Sequence, residues 1–145
     1  MSAAVSFVSS PAPSLGRHGQ TRSHHAARGL LEQARQGLVD AEYASRPVDR
    51  YTRAHLAALR GAAAVLAARA RPRRRARPTS AWTLLRSVAP ELAEWAEFFA
   101  ATSSTRAAAE AGVVRLVTTR DADDMIRQAG QFLGLVERAL AGNSR

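Results

Sequence analysis

Alanine is the feature that most limits how this chain can fold. It supplies 32 of the 145 residues and dominates an apolar fraction of 46%. Alanine is the best helix former and a poor strand former, so the composition favours an all-α protein. A core of such small side chains needs helices that approach one another closely. The length fits one domain with a core of its own.

Apolar positions recur every three or four residues in four stretches, the pattern of helices that each bury one face. The first helix is predicted from about Ala26 to Ala44. A second opens at Pro47 and reaches about Ala70, since proline suits a first helical turn. The third begins at Ala81 and should be kinked or broken at Pro90. The last helix is predicted over Thr119–Ala141.

Shorter signals refine the second half of the chain. The run Thr102–Thr105 is predicted to interrupt the third helix, leaving a short helical piece, Arg106–Ala111, that Gly112 ends. Val113–Val117 is β-branched but has no strand to pair with, so an extended connector is expected. Thr118 and the acid three residues after it form a capping-box pattern.

Four apolar stripes of similar length pack most simply as an up-down four-helix bundle. The domain is predicted over residues 26–141, with an arginine-rich loop at residues 71–79. Residues 1–25 hold Ser, Pro, Gly and His without periodicity, so a disordered tail is expected there. Residues 142–145 are predicted to be a short C-terminal tail.

All 21 basic residues are arginine. The complete absence of lysine indicates the codon usage of a high-GC genome, so the number of arginines is not evidence of a function. Their distribution is more informative, because residues 71–80 hold five arginines and no acid in a chain of net charge +9. With Arg69, which flanks this stretch upstream, they give six candidate phosphate ligands: Arg69, Arg71, Arg73, Arg74, Arg75 and Arg77.

The planar guanidinium group of arginine can bind a phosphate with two hydrogen bonds, and each phosphate that is neutralised releases counterions. The loop therefore predicts contact with RNA or a nucleotide, although no aromatic residue is interleaved that could stack on bases. The other interpretation is a solvated loop without a ligand.

Sequence patterns for most kinds of catalysis are absent. The chain has neither a glycine-rich phosphate loop nor a recognisable nucleophile motif, and without cysteine it has no thiolate chemistry. Asp121, Asp123 and Asp124 fit the positive end of a helix dipole, and the tail histidines have no carboxylate near them. We therefore predict no metal and no cofactor. No apolar run is long enough to cross a bilayer, so a cytoplasmic protein without a membrane partner is expected.

Arg50 and His55 are the candidates for catalysis. An arginine followed by four to six residues and a histidine is a ribonuclease spacing, in which histidine moves a proton and arginine holds the phosphate. The same spacing recurs at Arg17 and His24, about as often as chance allows. Five residues turn a helix by about 140°, so the two side chains of the helical pair diverge. His55 also lies on an apolar stripe, which favours a core histidine bonded to a neighbouring helix.

Three segments, Arg50–Ala70, Ala81–Ala100 and Arg120–Leu140, resemble a family of small HEPN-type proteins from high-GC Gram-positive bacteria. The resemblance implies a bundle of four or five helices, homodimers, and handling of RNA or nucleotides that includes ribonuclease toxins. Active members of the wider superfamily carry the arginine-to-histidine motif in a late helix. Here the last helix contains no histidine, which argues against ribonuclease activity.

Three functions follow from these patterns. The first is a non-catalytic HEPN-like module that binds RNA, a nucleotide or a protein partner, with the loop Arg69–Arg77 on the phosphates. The second is a dimeric, metal-independent ribonuclease that uses Arg50 and His55. The third is a structural partner protein whose basic loop is merely solvated.

Overall fold

The computed structural model describes residues 13–69, 80–113 and 117–142, and the side chains from residue 19 onward. This part of the chain contains five α-helices and no strand. The helices are α1 (Pro13–Tyr43), α2 (Pro47–Arg69), α3 (Ala81–Val88), α4 (Ala93–Glu110) and α5 (Thr119–Gly142), with a 3-10 turn, Pro90–Leu92, between α3 and α4. The predicted all-α class is confirmed. None of the described helices combines the length and the apolarity that a membrane crossing requires.

Side-chain contacts give the directions of the four long helices. Gly37 of α1 lies against Ala57 of α2, and Arg35 of α1 pairs with Glu137 of α5. His55 contacts Phe99 and Arg69 contacts Glu91, so α4 runs antiparallel to α2. Arg50 contacts Asp123 and Gly61 lies against Leu133, so α5 runs parallel to α2. The chain therefore runs up and down as predicted, and α2 and α5 finish at the same end of the bundle.

Helix α1 starts much earlier than predicted. Its first residue is Pro13 instead of about Ala26, so the prediction of a disordered tail is wrong for residues 13–25. Proline fits a first helical position, and no other proline follows before Pro47. Once the packed part of the helix exists, each added turn gains backbone hydrogen bonds without a new nucleation cost. Residues 1–12 lie outside the described residues.

The break after α3 follows the prediction at Pro90, which opens the 3-10 turn. The predicted second interruption at Thr102–Thr105 is wrong, because α4 is continuous to Glu110. The hydroxyl of Thr102 donates to the carbonyl oxygens of Phe98 and Phe99, each at 3.1 Å, and that of Ser103 donates to Phe99 O at 2.9 Å. These bonds run back to the preceding turn, so the polar run is accommodated within the helix.

Aromatic rings fill the centre of the bundle, and alanine fills the helix contacts. The ring of Phe99 stacks on Trp82 with 5.0 Å between centroids and meets Phe132 at 5.1 Å. Around these rings, the other fully buried large side chains are Leu85, Leu133, Leu140, His55, Val65 and Val136. Trp95 and Ile126 are partly buried and pack against this core.

Candidate nucleic-acid interface and the buried histidine

Arg69 is the part of the predicted phosphate site that the structure describes. It ends α2, and its guanidinium pairs with the carboxylate of Glu91 in the 3-10 turn. The hydrogen bond from Arg69 holds the pKa of the Glu91 carboxyl below its usual range. Arg69 thus ties α2 to the start of α4 and already has a carboxylate partner. The remaining candidates lie outside the described residues: Arg71, Arg73, Arg74, Arg75 and Arg77.

After the arginine-rich segment (residues 69–77), the chain enters α3 through a capped helix start. Ser80 precedes α3, and its Oγ accepts the backbone N–H of Thr83 at 3.1 Å. This N-cap satisfies one of the amides that a helix start leaves free. Arg69 and Ser80 are therefore the described residues on either side of the five other arginines.

His55 lies in the core, as predicted. Its side chain is fully buried, and its Nε2 lies 2.9 Å from the carbonyl oxygen of Phe99. Because a carbonyl only accepts, Nε2 carries the proton and donates, which leaves a lone pair on Nδ1. The rings of Trp82 and Phe99 meet the imidazole edge-on, with centroids at 6.0 Å and 5.8 Å. Burial lowers the pKa of His55, so the neutral ring is the native form.

Arg50 and His55 do not share a site. The Nη1 of Arg50 lies 2.6 Å from Oδ1 of Asp123, so this ion pair joins the starts of α2 and α5. The imidazole of His55 instead faces the aromatic rings of α3 and α4. The divergence expected from five residues of helix is therefore present in the structure.

Arg106 is a charged neighbour of His55 that the sequence analysis did not identify. It lies on α4, and its positive charge adds to burial in lowering the pKa of His55. Its Nη1 is 3.5 Å from Glu110 Oε1, while its Nε is buried without a hydrogen-bond partner among the described atoms. Nδ1 of His55 likewise has no described partner. Arg106 and His55 lie on different helices, and such residues have no fixed spacing in the sequence. No sequence motif could therefore have predicted that this arginine lies near the histidine.

All three aspartates at the start of α5 form hydrogen bonds or ion pairs within the protein. The N–H of Asp121 donates to Thr118 Oγ1 at 3.0 Å, and its carboxylate accepts the N–H of Thr118 at 3.0 Å. These bonds form the predicted capping box, and the one from Thr118 N–H holds the pKa of Asp121 below its usual range. Asp123 pairs with Arg50, and Asp124 with Arg127. Within the described ranges, no group of three or more candidate side chains is arranged to hold a metal ion.

Comparison with known proteins gives one match. A family model described as SAV_6107-like HEPN matches residues 41–137, from the last turn of α1 to near the end of α5. No curated protein and no solved structure matches the chain.

Proposed function

Because this chain belongs to the SAV_6107-like HEPN family, we propose that it is a non-catalytic helical module that binds single-stranded RNA through its phosphates. The observation that carries the proposal is the arginine-rich segment, with six arginines and no acid in residues 69–77. Such a density of guanidinium groups suits a polyanion, because each contact releases condensed counterions.

The chemistry of the segment indicates the kind of recognition. It has no aromatic residue that could stack on a base. Binding is therefore expected to follow the phosphate backbone, with strong salt dependence and little preference for sequence. On either side of the segment, Arg69 pairs with Glu91 and Ser80 caps α3.

The surroundings of His55 support the non-catalytic half of the proposal. A general acid or base must come within hydrogen-bond reach of its substrate. His55 is fully buried between aromatic rings, and its Nε2 proton is already donated to a carbonyl. Arg50 pairs with Asp123 and does not approach His55, which supports a role for this arginine in joining α2 to α5.

The test replaces Arg73, Arg74 and Arg75 with Gln and measures binding of a labelled, mixed-sequence RNA oligonucleotide by fluorescence anisotropy across salt concentrations. Affinity should fall, and the plot of log affinity against log salt should become shallower. At about −0.7 per neutralised phosphate, loss of three contacts flattens the slope by roughly two units. A matched variant that also loses three charges, R46Q/R53Q/R120Q, alters exposed arginines at the opposite end of the bundle and should leave the slope near wild type.

Two outcomes would overturn the proposal. If the segment variant and the matched control change binding equally, only net charge matters and the arginine-rich segment is a solvated loop. If the wild type does not retain RNA at all, a protein partner or a free nucleotide becomes the better account of the segment. Titration with a labelled mononucleotide and recovery of copurifying proteins separate those two.

A further inference from the structure

The N-terminal half of α1 is a basic helical surface that the sequence pattern did not predict. Residues 13–31 are helical, and no acidic residue occurs in the chain before Glu32. Arg22, His25 and Arg28 are exposed along this half of the helix. Most of α1 also precedes residue 41, where the match to the HEPN family begins, so this surface lies outside the matched region.

Helix packing brings this surface to the end of the bundle that carries the arginine-rich segment. Gly37 lies against Ala57 in the antiparallel α1–α2 pair. Both helices rise by about 1.5 Å per residue, so residue 25 of α1 lies at about the height of Arg69, the last residue of α2. Residues 13–31 span about 27 Å, and their first part extends beyond that height.

Arg22 and Arg28 differ from several arginines at the other end of the bundle in having no described ion pair, a lack that they share with Arg53 and Arg120. Near the starts of α2 and α5, Arg46, Arg50 and Arg127 each have a carboxylate within 4.0 Å. On α1, neither Arg22 nor Arg28 forms an ion pair with a described residue. The first acidic residue of the chain, Glu32, follows this basic stretch. Two exposed guanidinium groups, about 120° apart around α1, are therefore available to an anionic ligand.

The outward face of this half of α1 is polar along its length. Arg22, His25, Gly29 and Gln33 are all exposed there, while Ala27 and Leu31 turn into the core. A helix that binds a membrane surface needs a broad apolar face beside its basic one, and this helix has already buried its apolar stripe in the bundle. The chemistry therefore fits a linear polyanion better than a lipid surface.

We infer that residues 19–31 of α1 form a second phosphate-binding surface, which extends the RNA path from the α2–α3 end of the bundle along α1. This inference rests on the proposed RNA binding and assigns Arg22 and Arg28 to it. Each guanidinium would neutralise a phosphate of the same strand. The two lie about 9 Å apart along the helix axis and about 120° apart around it, so a strand that contacts both must wrap partly around α1.

The experiment compares R22Q/R28Q with R53Q/R120Q in the full-length chain. Both pairs remove two exposed arginines, and Gln has nearly the helix propensity of Arg, so helicity measured by circular dichroism should not change. With a labelled mixed-sequence RNA oligonucleotide, R22Q/R28Q should bind several-fold more weakly. Its slope of log affinity against log salt should be flatter by about 1.4, at about 0.7 per lost phosphate contact. R53Q/R120Q should remain close to wild type.

The outcomes separate this inference from the proposed function. If R22Q/R28Q behaves like R53Q/R120Q while the R73Q/R74Q/R75Q variant loses affinity, the α1 surface is overturned and RNA binding by the arginine-rich segment stands. If the wild type does not bind the RNA, both proposals fail together. Loss of affinity in R22Q/R28Q with an unchanged salt slope would also count against the surface, because its contacts are ionic.

Discussion

The carbonyl oxygen of Phe99 accepts hydrogen bonds from three side chains. It accepts from His55 Nε2 across the α2–α4 contact and from the hydroxyls of Thr102 and Ser103 within α4. Buried polar groups cost free energy when they lack partners, so this carbonyl makes the buried imidazole tolerable. His55 therefore connects two helices by a directional bond in a core that otherwise consists of rings and small aliphatic groups.

The depressed pKa of His55 predicts acid sensitivity. The unfolded chain binds a proton at His55 below about pH 6.5, while the native state resists it because the charged ring is buried. Stability contributed by the neutral ring is therefore fully present above pH 6.5 and is lost as the pH falls below it. The free energy of unfolding, measured with urea, should fall by up to about 1.4 kcal/mol per pH unit in this window.

The variant His55→Gln isolates this effect, because an amide can still donate to Phe99 O but does not titrate. It should be less stable than wild type at neutral pH and should lose less stability between pH 6.5 and 5. The paired carboxyls of Glu91 and Asp121, whose pKa values are lowered, act at lower pH and are common to both proteins. Parallel curves for the two proteins would contradict the assignment of the acid sensitivity to His55.

At the scale of elements, the α2–α5 contact depends on one glycine. A Cβ at Gly61 would stand 2.5 Å from Cδ2 of Leu133, a side chain that is fully buried. Gly61→Ala should therefore lower the free energy of unfolding by up to about 2 kcal/mol, since overpacking costs about 1–3 kcal/mol and the gain in helix propensity is about 1 kcal/mol. Chemical denaturation measures the difference.

Gly134 provides the matched control on α5. A Cβ there meets nothing within 4 Å, so Gly134→Ala should raise the free energy of unfolding by about 0.5–1 kcal/mol. In a Leu133→Ala background the clashing atom is absent, and Gly61→Ala should become neutral or stabilising. Equal effects of the two glycine substitutions in the wild-type background would show that the helices do not meet closely at Gly61.

Sequence patterns predicted the elements where the signal is local and chemical. The capping box of Thr118 and Asp121, the break at Pro90 and the stop at Gly112, which adopts a φ of 100°, each follow from the residue itself. The failures concern regions where polar composition was taken as a sign of non-helical structure. Residues 13–25 are helical because α1 propagates upstream, and Thr102–Thr105 are helical because their neighbours pack.

The candidate site was predictable to a smaller extent. The burial of His55 followed from its place on an apolar stripe, and its bond to another helix was expected. The partner atom, Phe99 O, and the neighbouring charge of Arg106 could not be predicted, because both belong to α4 and depend on how the helices pack. Of the six arginines proposed as phosphate ligands, Arg69 pairs with Glu91, and the ligand role of all six stays a prediction.

For the whole molecule, the arrangement of Arg50 and His55 predicts that the protein does not cleave RNA. Single-stranded RNA incubated with the wild type and a chelator should remain intact on a denaturing gel, because the histidine is enclosed and the arginine is held by Asp123. Cleavage that disappears in both Arg50→Ala and His55→Gln, with the fold retained in each, would contradict this and favour the ribonuclease alternative.

The central position of α2 has a consequence for synthesis on the ribosome. Helices α1 and α2 are adjacent in sequence and can pair as soon as residue 69 has emerged. The side of α2 around Gly61 is covered by α5, which is made last. During the intervening translation that apolar strip stays open, and exposed strips of this kind promote association between nascent chains. A chain truncated before Thr119 should therefore accumulate in inclusion bodies, whereas the full-length chain expressed under the same conditions should give soluble protein.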